Sequence, residues 1–160
     1  MILDYTQLMA MGFRIGRDIP QATVELAIET AEMYYVKPSV DTETYETLIT
    51  LESDSPLLVG GEYTDSKDGK HYVAGMRKAL AHIAYAELLR MNINATTFGS
   101  VQKTDDSSEN VNPAENIKYH LAVGLQYARE VVVALGAKWT ATTGVNRESY
   151  YTRRKEGAWR

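Results

Sequence analysis

The chain has 160 residues, a length that fits one domain, since domains usually run roughly 100–200 residues. Hydrophobic residues make up 44% and charged residues 24%, the balance of an ordinary globular chain. The absence of cysteine excludes disulfide scaffolds, thiolate zinc sites, iron–sulfur clusters and cysteine nucleophiles. No apolar run approaches the roughly 18 residues that span a bilayer, so we expect no membrane partner.

The net charge of −4 conceals an uneven distribution of charge along the chain. Residues 1–68 contain 13 acidic and 4 basic residues, and residues 69–160 contain 8 acidic and 13 basic residues. The two parts therefore carry −9 and +5. Such a division is compatible with separate solvated faces, or with copies of one chain that meet acidic surface to basic surface.

The first part of the chain predicts an N-terminal arm and two helices. Residues 1–17 show no clean period, and we expect about one helical turn there. The first clear helix begins near Asp18, the predicted N-cap, and ends at Pro38, because a residue before proline disfavours the α region. A second helix is predicted from Asp41 to Ser53.

A long loop is predicted over residues 54–69, which contain three glycines and a proline. The loop also carries three consecutive apolar residues, Leu57, Leu58 and Val59. Consecutive apolar residues in a loop are expected to be shielded from water, either by the protein's own core or by another subunit.

Two long helices are predicted in the second part of the chain. One runs from about Lys70 to Met91, where apolar residues recur every three or four positions. The other begins with Asn112 as N-cap and ends near Gly136. Between them, residues 95–104 contain Thr, Phe and Val around a glycine and predict a small β-ribbon.

These elements together predict an all-α fold. We expect a bundle of about four helices in one domain, residues 1–138, with the ribbon between the last two long helices. Residues 139–160 are rich in Thr, Arg and Tyr and predict an extended C-terminal docking tail.

Paired carboxylates suggest the first candidate site. Glu25, Glu29 and Glu32 follow the i, i+4, i+7 spacing of one helix face, but a dinuclear metal site in a bundle also needs Glu-x-x-His motifs. No glutamate stands three residues before any of the three histidines, so this motif is absent. We therefore interpret the three glutamates as an acidic stripe or a subunit contact, and expect no metal.

The sequence contains no convincing catalytic motif. It lacks the Gly-x-Ser-x-Gly elbow of serine hydrolases, the Gly-Lys-Ser/Thr ending of a phosphate loop and the glycine of a calcium loop at Asp105–Glu109. We therefore expect no enzyme and no cofactor.

The C-terminal tail combines basic and aromatic residues, and these types dominate protein–protein hot spots. Such a tail could dock onto a partner, remain disordered or bind nucleic acid, although the overall negative charge opposes a dedicated nucleic-acid binder. The residues concerned are Arg147, Tyr150, Tyr151, Arg153, Arg154, Trp159 and Arg160.

Over roughly residues 19–138, the order of these parts resembles the small helical head–tail connector (adaptor) proteins of tailed phages, especially crAss-like and other Bacteroidetes phages. The resemblance rests on residues 31–38, on Leu57–Gly61 with Tyr63, on residues 75–90 and on residues 94–103.

The resemblance implies a structural virion protein, made in the host bacterial cytoplasm and located at the portal vertex. Connectors of this kind form a ring, usually of twelve copies, beneath the portal, extend the DNA channel and carry further connector or tail proteins. DNA would pass through without sequence-specific binding. By analogy, residues 147–160 would dock onto the portal.

Subunit contacts are expected at the three glutamates, at the apolar loop residues and at the ribbon. The predicted interface residues are Glu25, Glu29, Glu32, Leu57, Leu58, Val59, Phe98 and Val101. The alternative function is a helical regulatory or nucleic-acid-binding module, which salt-sensitive DNA affinity would indicate.

Overall fold

The computed structural model describes residues 1–16, 18–92 and 113–140. Within these ranges the chain is mostly α-helical, with six α-helices and one two-stranded antiparallel sheet. The helices are α1 (Tyr5–Ala10), α2 (Gln21–Ala31), α3 (Thr42–Thr50), α4 (Pro56–Val59), α5 (Met76–Asn92) and α6 (Pro113–Ala134). The strands are β1 (Gly61–Thr64) and β2 (Lys70–Val73).

The predicted architecture is wrong in the number of helices and in the position of the sheet. The described residues form six helices where about four were expected, because residues 5–10 and 56–59 are also helical. The strands of the observed sheet precede α5, whereas the prediction placed a ribbon between the last two long helices. Residues 95–104, the predicted ribbon, lie outside the described residues.

The hairpin forms in a stretch that the sequence predicts as loop and helix start. Gly61 lies opposite Val73, and Thr64 lies opposite Lys70. The Asp65 carboxylate closes the connecting turn by accepting hydrogen bonds from the backbone N–H groups of residues 67 and 69, at 2.8 Å each. An aspartate that bonds to the backbone two residues ahead is a turn-forming signal, and it outweighs the helical pattern of the following residues.

Helix α5 begins at Met76, six residues later than predicted, because Gly75 has a positive φ of 90°. A Cβ atom on Gly75 would lie 2.4 Å from the backbone N of Gly60. Only glycine combines this dihedral angle with so close a backbone approach. The close approach of Gly60 and Gly75 therefore packs the open end of the hairpin against the start of α5.

The N-terminal helices differ from the prediction mainly in how they start and end. Helix α2 begins at Gln21 without a side-chain cap, so Asp18 is not its N-cap. A π-helical segment, Glu32–Val36, and a 3-10 turn, Lys37–Ser39, continue the helical path past Pro38. Asp41, where the second helix was predicted to begin, is the N-cap of α3, since its carboxylate accepts the backbone N–H of residue 44 at 2.7 Å.

Helix α6 ends close to the predicted position. Gly136 has a φ of 76°, and its N–H donates to the carbonyl of Val133. The N–H of Ala137 donates to the carbonyl of Val132. These two bonds with a left-handed glycine form a Schellman motif, which stops a helix.

Helix α5 lies at the centre of the core and packs against both α2 and α6. Four buried alanines have side chains small enough to let the neighbouring helices approach α5 closely. They are Ala79, Ala81, Ala84 and Ala86. On α6, a Cβ atom at Gly124 would lie 2.6 Å from the Ile83 side chain and 2.8 Å from the Ala79 carbonyl oxygen. The α5–α6 contact therefore depends on a glycine, because this approach leaves no room for a side chain.

Two buried glutamates join the helices through hydrogen bonds. Glu87 on α5 is fully buried; it accepts a hydrogen bond from the Tyr35 hydroxyl and one from the Arg90 guanidinium at 3.1 Å. Glu32 accepts the backbone N–H of Ile2 at 3.0 Å and the hydroxyl of Tyr45 at 2.7 Å. The first glutamate joins α5 to the segment after α2, and the second holds the N-terminus and α3 to that segment.

Candidate functional site

The three predicted interface glutamates do not share one accessible face. Glu25 and Glu29 are exposed on the outer side of α2. Glu32 is buried, and both of its carboxylate oxygens accept hydrogen bonds within the subunit. Two of the three carboxylates therefore remain available to a neighbour.

The predicted apolar loop is the short helix α4, and its three apolar residues have different environments. Leu57 and Leu58 are buried in the subunit's own core. Val59 is 50% exposed. The subunit's own core therefore shields both leucines from water. Of these three residues, Val59 alone remains accessible to a partner.

The remaining predicted site residues lie outside the described residues. They are the ribbon residues Phe98 and Val101 and the tail residues Arg147, Tyr150, Tyr151, Arg153, Arg154, Trp159 and Arg160.

Two neighbouring hollows lie beside α5. The first, with a volume of about 390 Å³, is bordered by Tyr72 of β2 and by Tyr127 and Glu130 of α6. The second, of about 380 Å³, is bordered by three residues before α2, Met11, Gly12 and Phe13, together with His82. Val59 and Lys78 border both hollows, so the two lie side by side. We call this surface the Lys78 groove.

The Lys78 groove combines exposed apolar side chains at its rim with the Lys78 cation and the Glu130 carboxylate. Tyr72 is 85% exposed, and Met11 and Val59 are also exposed. The Lys78 ammonium lies 5.9 Å from the centre of the Tyr127 ring, which is a cation–π distance. Exposed apolar side chains grouped in this way are typical of interaction sites.

A pair of histidines lies at the edge of the Lys78 groove, where α5 meets α6. The Nδ1 atoms of His82 and His120 are 2.9 Å apart, so one ring donates a hydrogen bond and the other accepts it. Aromatic rings surround the pair at centroid distances of 4.8–5.9 Å. These rings belong to Phe13, Tyr85, Tyr119 and Tyr127.

The environment of the pair favours the neutral state of both histidines. Burial, together with the nearby charges of His120 and Lys78, lowers the pKa of His82 to about 4. Burial also lowers the pKa of His120. Two neutral imidazoles can share one N–H···N hydrogen bond, whereas two protonated rings would present donors to each other.

Within residues 1–16, 18–92 and 113–140, no group of three or more His, Asp or Glu side chains is arranged to hold a metal ion. Among the helices of the same residues, none is long and apolar enough to cross a membrane. The features that remain are the exposed apolar rim, the Lys78 cation and the acidic side of α2.

Sequence reasoning missed the Lys78 groove because its residues come from four separate parts of the chain. Phe13, Lys78 and Tyr127 are far apart in sequence, and no spacing rule connects them. One signal was available: Lys78 and His82 are four residues apart on one side of α5 and place polar side chains beside its apolar pattern.

The chain matches a protein-family model described as a family of unknown function, DUF6712, over residues 36–123. No curated protein and no solved structure matches the chain significantly. The matched residues include α3, α4, the hairpin and α5, and of these α4, β2 and α5 contribute residues to the Lys78 groove. Because they make up more than half of the sequence, the chain belongs to the DUF6712 family of unknown function.

Proposed function

We propose that this protein is a structural virion subunit that assembles into a head–tail connector ring of a tailed phage. The ring would lie beneath the portal at one capsid vertex, extend the DNA channel and carry further connector or tail proteins. The resemblance of residues 19–138 to such connectors supports this type of assembly. It also implies the usual copy number of twelve.

The observation that carries the proposal is the Lys78 groove. Val59 and Tyr72 leave a large part of their apolar surface in solvent, although the same subunit buries Leu57 and Leu58 next to them. A protein–protein contact that recurs in an assembly would bury apolar surface that the subunit itself leaves exposed.

The distribution of exposed charge also supports assembly from copies of one chain. Helices α2 and α3 carry exposed glutamates, such as Glu25 and Glu46, and contain no basic residue. Helix α5 contains three basic residues and one acidic residue, and its Lys78 is exposed, whereas the two acidic and two basic residues of α6 balance. A ring requires two different surfaces that match each other, and unlike charge on separate helices provides such a pair.

The proposal is tested by the native mass of the purified full chain over a range of concentrations, combined with negative-stain images of the same samples. The expected result is a closed ring with a central channel and a mass near twelve subunits. A monomer at every concentration, with double-stranded DNA affinity that falls steeply with salt, would overturn the proposal in favour of a nucleic-acid-binding module.

A further inference from the structure

We propose that the Lys78 groove of one copy receives the outer side of α2 from the next copy of this chain. We define the outer α2 face as Glu25 and Glu29 on α2 together with Met33, which follows in the π-helical segment. In this contact Glu29 pairs with Lys78, and Met33 packs beside Val59. The inference rests on the proposed ring and specifies the surfaces that join its subunits.

The first argument is that the cation of the groove is exposed and forms no ion pair. Lys78 is exposed, and the three ion pairs found within the described residues involve other side chains. Its ammonium lies over the Tyr127 ring, and Glu130, which borders the first hollow, accepts a hydrogen bond from Gln126 at 3.0 Å. A carboxylate from outside would therefore meet an exposed cation that is not held in an ion pair.

The second argument is that the outer α2 face matches the groove in both charge and polarity. Val24 and Ile28 bury the inner side of α2, which leaves Glu25 and Glu29 facing solvent. Met33 continues the same line at the next i+4 position and is 42% exposed. Carboxylates followed by an apolar side chain are what a groove with one cation and an apolar rim would bind.

The third argument is that the two surfaces lie on opposite sides of the subunit. Lys78 and Glu87 are nine residues apart on α5, which is about two and a half helical turns and places them on opposite sides. Glu87 contacts Tyr35, directly beyond α2, so α2 lies on the side away from the groove. One subunit cannot bring its own two surfaces together, and contact between successive copies runs head to tail.

Helix spacing is compatible with simultaneous contact at both points. Glu29 and Met33 are four residues apart, and side chains at this spacing leave a helix on the same side, about one turn from each other. Lys78 and Val59 both border the two hollows, so charge and apolar surface are adjacent in the groove. A helix laid along the groove would therefore engage both residues.

Cysteine cross-linking tests this contact directly, because the natural chain contains no cysteine. We expect the double variant Met33→Cys/Val59→Cys to give a ladder of covalent multimers under mild oxidation. An equal mixture of Met33→Cys and Val59→Cys should give a covalent dimer, and neither single variant alone should cross-link. The matched control is Ile49→Cys/Val59→Cys, since Ile49 is similarly exposed but lies on α3.

Charge exchange tests the paired residues without introducing a covalent bond. We expect Lys78→Glu and Glu29→Lys each to raise the concentration needed for ring assembly roughly tenfold, because each places like charges together. The double variant should restore assembly. Lys118→Glu, an exposed lysine of α6 outside the groove, is the control and should leave the assembly concentration unchanged. Circular dichroism of every variant establishes that the monomer is folded.

The outcomes separate this inference from the proposed function. If the natural chain forms rings while the Met33→Cys/Val59→Cys variant gives no ladder, the contact is wrong and the connector proposal stands. Cross-linking of Val59→Cys alone would also overturn the contact, since it would show groove against groove. If the natural chain forms no ring, the proposed function fails and this inference fails with it.

Discussion

The two sides of α5 differ in how completely the subunit covers them. On the side of Glu87, the helix contacts the end of α2, and a buried carboxylate receives hydrogen bonds from Tyr35 and Arg90. On the side of Lys78 and His82, the helix borders two hollows of about 380–390 Å³ with exposed apolar rims. One helix thus has a closed side and an open side.

The closed side holds the fold together, and the open side is free to bind. A buried charge is tolerated only when its partners are in place, so the Glu87 side admits one packing arrangement. The open side leaves apolar surface in solvent, which costs free energy in the isolated subunit and is recovered on contact. Substitutions on the two sides should therefore affect different measurements.

The largest effect is expected from Glu87→Ala. The substitution leaves the Arg90 cation and the Tyr35 hydroxyl without their buried acceptor, and it opens a cavity beneath α2. We expect the free energy of unfolding to fall by about 3–5 kcal/mol, measured by urea denaturation followed by circular dichroism. Glu87→Gln keeps the shape and one acceptor oxygen, so it should cost less. Equal losses for both variants would show that charge, and not packing, dominates this side.

An intermediate effect is expected from pH, through the histidines at the edge of the open side. Burial lowers the pKa of His82 from 6.5 to about 4, so the folded chain holds this ring neutral where the unfolded chain protonates it. The unfolded state therefore binds more protons, and stability should fall as the pH drops from about 6.5 to about 4. The midpoint of thermal unfolding, measured across this range, should fall accordingly.

Comparison with a histidine variant isolates this contribution from other titrating groups. His82→Gln should make the pH dependence shallower over the same range, because the glutamine does not titrate and the contribution of His120, whose pKa burial also lowers, remains. Asp65 acts with the same sign in a lower pH range: His71 and two backbone N–H groups lower its pKa from 3.8 to about 2, so its contribution is lost as the pH falls from about 3.8 to about 2. An unchanged pH profile in His82→Gln would locate the dependence elsewhere.

The sequence predicted the long helices better than the hairpin. The apolar spacing of α2 and α5, the helix start at Asp41 and the glycine that ends α6 are local signals, and they correspond to the observed structure. The hairpin was missed because residues 70–73 also fit the helical period of α5. The Gly75–Gly60 approach that separates strand from helix is a tertiary contact, which no local pattern reveals.

The candidate site was predicted only in part, for a similar reason. Glu25, Glu29 and Val59 are exposed as an interface would require, whereas Glu32, Leu57 and Leu58 are buried. Helical spacing placed Glu32 with the other two glutamates, but the π-helical segment begins at that residue and its carboxylate binds Ile2 and Tyr45. A residue's partners in the core decide its accessibility, and those partners are distant in sequence.

The smallest effect on stability, and the sharpest contrast with Glu87, is expected from Tyr72→Ser. Tyr72 is 85% exposed on β2, so its removal should change the free energy of unfolding by less than about 0.5 kcal/mol. The same substitution removes apolar surface from the rim of the Lys78 groove, so it should weaken subunit assembly in measurements of native mass. Thr64→Ser, also exposed in the hairpin but not bordering either hollow, is the matched control. A loss of stability in Tyr72→Ser as large as that in Glu87→Ala would mean that the open side also holds the subunit together, and the division between the two sides of α5 would not hold.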